Sequence, residues 1–421
     1  MEINELKTSI DGLEIGMYVS RLDKPWMDTP FDLEGLIIKT SKDIEILRRY
    51  TAFVYVDVDK GPSPDPKFWI SVSEETLNFA DAELPPIEAF KTKKNEYSNL
   101  RRAFYEIETS FSVELETATG IKNQIEKDLK KILHDLENGK NIDIELLKVG
   151  VEASVGSILR NPSAFSLLVQ LEKTDEYSYS HALSTSIWCA QFGRHLGLEK
   201  NDIQELALGG MLLDVGKVKL PKELLIKKGV MSPEESLLVH QHVKFSHKIL
   251  SESPTPLSHK IMNMVATHHE RADGSGYPDQ IENKDIPIYG RIAGIVDSYD
   301  AMTTSRPYSD RIFSPNDAIN EFYQMRGSSF QEELVEQFIQ TVGLYPTGSL
   351  VELNNGSVGI VTEVNELKRL HPSVMLILDK DKLPLEEFTT INLSDSNKSG
   401  LLVDKALPLG SFGIKLEELF L

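Results

Sequence analysis

The chain has 421 residues, of which 40% are hydrophobic and 26% charged, with a formal net charge of −20. That length suits two to four domains, because single cores stop growing near ~250 residues, and the composition excludes bulk disorder and fibrous repeats. The acidic balance disfavours a nucleic-acid polymer as partner, and the lone Cys189 excludes an internal disulfide. No apolar run reaches the ~20 residues of a membrane helix and Met1 opens no signal-peptide pattern, so a soluble, cytoplasmic protein with no membrane contact is expected.

In chain order, residues 1–60 alternate short apolar runs (Gly16 to Leu22, Leu36 to Lys39, Phe53 to Val58) with one helix capped by Ser41, which predicts a small α+β module. Gly61-Pro-Ser-Pro-Asp-Pro interrupts regular structure, and residues 61–90 read as a linker ending near Pro85-Pro86. Over residues 91–140 apolar positions recur at three-and-four spacing from Leu100 through Phe111, Ala118, Ile125 and Leu129 to Leu136. That predicts a long amphipathic helical segment, which Gly120 is expected to break in two. Its apolar face either packs on the next domain of the same chain or forms a homodimer seam. Residues 141–342 continue as helix after helix. From 343 to 421 the pattern changes to strands, Leu350-Val-Glu-Leu, Val358-Gly-Ile-Val and Val374-Met-Leu-Ile-Leu, with a tight Asn355-Gly356 turn. The fold class is therefore mainly α, with a small α+β module before the helices and a β-rich extension after them.

Of ten histidines, six fall between His240 and His269, a density that points to metal binding; imidazole with carboxylate suits Fe, Mn or Zn. The densest string is Thr267-His268-His269-Glu270-Arg271-Ala272-Asp273-Gly274-Ser275-Gly276-Tyr277-Pro278, where an apolar helix runs into a glycine-punctuated loop. Adjacent helical residues project about 100° apart, so both imidazoles reach one site only at a helix end or in a concave pocket. A second string, Leu212-Leu213-Asp214-Val215-Gly216-Lys217, ends a helix with a carboxylate able to bridge ions and an ammonium able to meet phosphate.

These residues resemble the HD-GYP family, the branch of the HD phosphohydrolases that hydrolyses cyclic di-GMP, over residues 170–340. The resemblance rests on His181 in Tyr179-Ser-His-Ala, on Asp214-Val215-Gly216-Lys217, on His242, on the complete string from His268 to Pro278, and on Asp297 followed by Arg306-Pro307-Tyr308. It implies an all-helical HD-type domain holding one or two divalent ions, Fe or Mn. One ion would be held by His181, Asp214, Asp297 and a further histidine, the other by Asp214, His242, His268 and His269. It also implies Asp214 and Lys217 in catalysis, Lys217 and Arg306 on substrate phosphate, and Gly276, Tyr277 and Pro278 shaping the substrate pocket or contacting a signalling-protein partner. The flanking modules look like those that accompany such domains.

The chain departs from the family's pattern where His-Asp is expected, placing Leu213 before Asp214. Leucine offers no lone pair, so the first ion keeps three protein ligands. Ser309 stands where many relatives carry a basic residue, and Tyr177 where three-metal relatives carry glutamate, which implies at most two ions. Two readings follow: a cyclic di-GMP phosphodiesterase yielding linear pGpG, and GMP by further cleavage, with activity weakened by Leu213; or an inactive receptor or scaffold that binds cyclic di-GMP or a signalling partner. Glu270 and Asp273 are candidate acceptors orienting His268 or His269, capping being the alternative for Asp273. His134-Asp135 imitates the missing motif but sits on a charged stretch and reads as a solvated pair. His195, His240, His247, His259 and His371 read as structural, and Cys189 as a packed small hydrophobe.

Overall fold

The computed structural model describes residues 5–23, 35–38, 40–58, 60–70, 105–171, 177–227, 229–304, 313–365, 370–395, 400–408 and 410–414. Residues 1–100 and 101–421 form two units.

In the first unit, strands β1 (Glu5–Ser9), β2 (Tyr18–Leu22), β3 (Leu36–Ile37) and β4 (Phe53–Asp57) and helix α1 (Ser41–Tyr50) make one layer of sheet and one of helix. The antiparallel order is β1-β4-β2-β3, with Thr8 opposite Val54. Val19, Val54 and Val56 alternate onto the face that buries Ile38 and Leu47, the period-two pattern of a half-buried sheet. Helix α1 is capped one residue earlier than expected, by Thr40, whose backbone N–H donates to the Asp43 carboxylate at 2.8 Å. Residues 61–70, expected to begin a linker, turn back onto the sheet instead. Trp69 bridges to Thr8, the Ile70 N–H donates to Lys7 O at 2.9 Å, and the Trp69 indole donates to Pro64 O. The prolines shape this return by fixing φ without needing ladder partners. The remainder of the expected linker, 71–90, lies outside the described residues.

The second unit starts with α2 (Phe111–Glu137), one unbroken helix. Gly120 does not interrupt it, because the cost of one helical glycine, about 1 kcal/mol, is outweighed by the stripe on either side. Ala118, Ile125, Leu129, Ile132 and Leu136 are all buried. They pack on α3 (Ile144–Arg160), α4 (Pro162–Leu171) and α5 (Tyr177–His195) of the same chain. The N-terminal turns meet the β-rich extension: Phe111 and Leu115 join a core with Leu167, Leu350, Ile360 and Ile377.

The helices that carry the site follow: α6 (Lys200–Leu212), α7 (Lys222–Leu225), α8 (Pro233–His240), α9 (His242–Ser251), α10 (His259–Thr267), α11 (Ile288–Thr303), α12 (Pro315–Met325) and α13 (Glu332–Val342). Beneath the site, the buried rings of Trp188, Tyr299, Phe322 and Phe338 meet at centroid separations of 5.3 to 6.5 Å and tie α5, α11, α12 and α13 together. Strands β5 (Leu350–Leu353), β6 (Val358–Glu363), β7 (Ser373–Leu378), β8 (Pro384–Asn392) and β9 (Val403–Leu407) form an antiparallel sheet in the order β8-β7-β6-β5-β9. The Asn355-Gly356 turn closes its first hairpin. Among the described residues, no helix is long and apolar enough to cross a membrane.

A buried acid secures the start of α2. The Glu114 carboxylate accepts from Ser157 Oγ (2.6 Å), from Arg160 Nε and Nη2 (2.9 and 2.7 Å) and from Thr109 Oγ1 (2.9 Å). Burial pushes its pKa up, but hydrogen bonds from Arg160, Ser157 and Thr109 outweigh that and hold it below the usual carboxylate range. Arg160 is 36% exposed and can rehydrate, so Glu114→Gln is expected to cost about 1–3 kcal/mol, below the ~3–5 of a fully buried pair. Because the native pKa is depressed, this contribution is complete above the unfolded value of ~4.3 and is lost as pH falls through the lower native value. Denaturant melts across that range should show the variant less stable at neutral pH and converging on the parent in acid.

Candidate metal centre

Five elements converge on one carboxylate. Asp214 follows the C-terminus of α6, in the turn 213–217 that crosses to α9. Ser246 of α9 locks that turn from inside the protein: its Oγ donates to Leu213 O at 2.8 Å and accepts from the Gly216 N–H at 2.8 Å. A side chain at Gly216 would put a Cβ 2.2 Å from His242 O and 2.3 Å from Ser246 N, so only glycine lets the turn lie against α9.

Two donor groups share Asp214. The first joins His181 of α5 to Asp297 of α11: His181 Nε2 lies 3.0 Å from Asp297 Oδ1 and 3.2 Å from Asp214 Oδ2. The second joins Asp214 with His242, His268 and His269, with one donor atom from each lying within 4.8 Å of the others. Both groups have the donor chemistry of a divalent cation site.

Backbone carbonyls set the imidazole orientations. His242 Nδ1 donates to Val239 O at 2.7 Å and His268 Nδ1 to Val265 O at 2.8 Å, so in the neutral ring the lone pair sits on Nε2 and faces the site. Asp214 Oδ1, His242 Nε2 and His268 Nε2 are buried and lack a hydrogen-bond partner among the described residues. His242 Nε2 and Asp214 Oδ1 are 3.1 Å apart, close enough for both to ligate one cation. This fits a metal: buried unpaired acceptors are otherwise costly.

The protonation states agree. Burial raises the Asp214 pKa, but the Lys217 charge, then His242, outweigh it and hold it well below the usual range; Asp297 is likewise held down against burial, first by its hydrogen bond to His181. Burial pushes His268 down to about 4, and burial together with the His268 charge holds His269 well below an ordinary histidine. Ionised carboxylates beside neutral imidazoles are the ligand forms a cation requires. His181 behaves oppositely. Burial lowers its pKa, but hydrogen bonds with Asp214, Asp297 and Asp300 outweigh this and hold it well above the ordinary value.

The structure thus brings together His181, Asp214, His242, His268, His269 and Asp297, with Lys217 Nζ bonded to Asp214 Oδ2. Gly276 is buried beneath them. Its absent Cβ would fall 2.5 Å from His269 O, and the close approach lets the Tyr277 N–H donate to His269 O at 3.1 Å. Tyr277 stacks on the His269 ring, centroids 4.5 Å apart, and the cis peptide joins it to Pro278. Arg306 and Ser309 lie outside the described residues, as does the Tyr177 side chain.

Other residues do different work from that expected. Glu270 does not orient the histidines: its carboxylate accepts from the Asp279 and Ile281 backbone N–H groups at 2.7 and 3.1 Å and so staples the glycine loop. Asp273 neither orients them nor caps the helix; it accepts from Ser275 N and Oγ in a local turn. His134 and Asp135 lie at the surface, Asp135 paired with Lys140. Cys189 is fully buried, and burial pushes its thiol pKa up.

Sequence reasoning missed three supports. Asp300 accepts from His181 Nδ1 at 2.6 Å and is itself held by Ser184; its signal was the spacing of three from Asp297, which puts both on one face of α11. Arg271 donates to His268 O and Glu270 O at 3.2 and 2.9 Å and to Ser298 Oγ at 3.2 Å, pinning the His268–Glu270 turn to α11. His240 stacks on Tyr277 at 3.7 Å, a contact with no signature in spacing.

Comparison with known proteins gives three family matches: an HD domain at residues 166–334, a domain of unknown function (DUF3391) at 5–147 and a KOW domain associated with HD domain at 350–408. A cyclic di-GMP phosphodiesterase of Pseudomonas aeruginosa is 29% identical over 378 residues, covering 89% of this chain and 86% of that protein. A cyclic di-GMP phosphodiesterase of Thermotoga maritima is 32% identical over 42% of this chain and 49% of that protein. A 3'3'-cGAMP-specific phosphodiesterase of Vibrio cholerae is 31% identical over 42% of this chain and 34% of that protein.

If His181 is a ligand that Asp300 orients, Asp300→Asn should weaken Mn2+ binding to the metal-free chain by about 10–100-fold. Calorimetric titration measures this. An unchanged affinity would show that the contact does not support the site.

Proposed function

Because this chain belongs to the HD-GYP family of HD phosphohydrolases, we propose that it is a metal-dependent phosphodiesterase that opens cyclic di-GMP to linear pGpG and, in a second round, yields GMP. The observation that carries this reading is the convergence of bare donor atoms from Asp214, His242 and His268 beside the Lys217 ammonium. Six residues are the proposed ligands: Asp214, His242, His268 and His269 for one ion, and His181, Asp214 and Asp297 for the other. The mixture of imidazole and carboxylate favours iron or manganese over a thiolate-loving ion.

A bound divalent cation there supplies Lewis acidity and a water of lowered pKa. The chain's own residues do the rest. Asp214 holds both donor groups in register and shares its Oδ2 with Lys217, so the ammonium stands where negative charge grows on the phosphoryl oxygens. Asp300 and Ser184 fix the His181 ring. Gly276 lets the loop bring Tyr277 against His269, giving a flat wall beside the ligands, with Pro278 following it. Arg306 is assigned to a substrate phosphate on its sequence position alone. Net hydrolysis adds one water across a phosphodiester, leaving a 5'-phosphate and a 3'-hydroxyl. The substrate assignment follows the name of a relative that covers 89% of this chain; the Vibrio relative makes a second cyclic dinucleotide the natural competitor.

A specific observation favours a second reading. Leu213 is 1% exposed and offers no donor, leaving the His181 side with three protein ligands. Loss of that ion would leave a receptor for cyclic di-GMP, or a scaffold that presents the Gly-Tyr-Pro loop to a signalling protein.

The chain purified anaerobically with iron or manganese should bind two ions and convert cyclic di-GMP to pGpG. Turnover with one ion would confine the chemistry to the side of His242, His268 and His269. Bound nucleotide without product would establish the receptor. Leu213→His should raise both metal stoichiometry and rate if the missing imidazole is the defect; no gain in either would place the defect elsewhere in the pocket.

A further inference from the structure

We infer that His240 is a positioning residue for the ion site formed by Asp214, His242, His268 and His269, acting through a three-ring stack in which Tyr277 is the middle ring. The His240 and Tyr277 rings are nearly parallel, 9° apart in plane with centroids at 3.7 Å, while Tyr277 and His269 stand at 27° and 4.5 Å. Two rings this close to a third cannot share one of its faces without overlapping, so His240 and His269 cover opposite faces of Tyr277. His269 in turn packs against His268 at 4.1 Å and His242 at 5.0 Å, with Nδ1 3.7 Å from Asp297 Oδ2.

The position of His240 in the fold gives the stack its reach. It ends α8, a helix with no buried residue whose Leu237 and Leu238 point outward. The preceding residue, Val239, supplies the carbonyl that fixes His242. The last turn of α8 therefore sets two ligands at once, His242 through a hydrogen bond and His269 through stacked rings. Aromatic pairs have preferred relative geometries, so a ring stacked on one face of Tyr277 restrains the plane that Tyr277 presents to His269. Stacking asks for a flat ring and not for a nitrogen, which separates this role from ligation.

This inference rests on the metal-site reading above, and its test reads metal affinity without turnover. Mn2+ is titrated calorimetrically into the metal-free full-length parent chain and into His240→Ala, His240→Leu and His240→Phe, with thermal midpoints of the metal-free forms recorded alongside. The alanine and leucine variants should bind Mn2+ about tenfold or more weakly, as outer-sphere supports do. Their midpoints should fall by no more than about a few degrees, since one ring stack on a helix with no fully buried residue is lost, and His240→Phe should return the affinity to near the parent value. Affinity unchanged in all variants overturns the inference. Failure of phenylalanine to rescue also overturns it, assigning the imidazole nitrogen a role of its own. A parent chain that binds no Mn2+ sinks the metal-site reading and this inference together, whereas a parent that binds and an alanine variant that matches it sinks this one alone.

Discussion

The Asp214 carboxylate, divided between two sets of neighbours, is the constraint on which the centre depends. A buried carboxylate is tolerated only when its charge is compensated. Oδ2 meets His181 and Lys217, while Oδ1 faces His242 and His268. Among the described residues, Asp214 is the one member common to both groups. Its position is fixed by backbone chemistry: the turn 213–217 is hydrogen-bonded at both ends to a single serine of α9, and a glycine permits the contact. Because α9 also begins with His242, one packing decision places the shared carboxylate and one of its partners together.

The same economy recurs in the glycine loop. Glu270 holds the loop's return by two backbone N–H groups, and Arg271 holds the preceding turn by two carbonyls. Charged side chains are spent on backbone, which frees His268 and His269 to point inward. The ring of His268 is oriented by a carbonyl of its own helix, so its direction survives as long as α10 does.

What was legible in the sequence was local. The three-and-four spacing of α2, the short apolar runs of β5 to β7 and the Asn355-Gly356 turn are local signals, and the histidine strings stand out because ligand chemistry needs rare residue types at fixed spacing. What was not legible depends on tertiary placement. Gly120 reads as a break, yet the buried residues on both sides keep the helix whole. Trp69 reads as linker until its bridge to Thr8 is seen. His240 looks like one more surface histidine, since nothing in the order of residues says that Tyr277 will lie on it. Asp300 was the nearest to discoverable, one turn from Asp297 on the same helix.

Leu213 makes the two halves of the centre physically unlike. On the His181 side every donor is satisfied by a neighbour: Asp297 and Asp214 by His181 Nε2, Asp300 by His181 Nδ1 and Ser184, and Asp214 Oδ2 also by Lys217. That half is a closed hydrogen-bond network. The other half holds three buried acceptors with no hydrogen-bond partner among the described residues, each costing about 1–3 kcal/mol. A fold keeps such atoms converging only where rigid packing imposes it, and the cation that neutralises them recovers that cost on binding. On the proposed reading, the half without the leucine is the one whose converging acceptors an ion would neutralise. On the same reading, the half beside Leu213 would take its ion with one donor fewer, because a leucine side chain offers no lone pair.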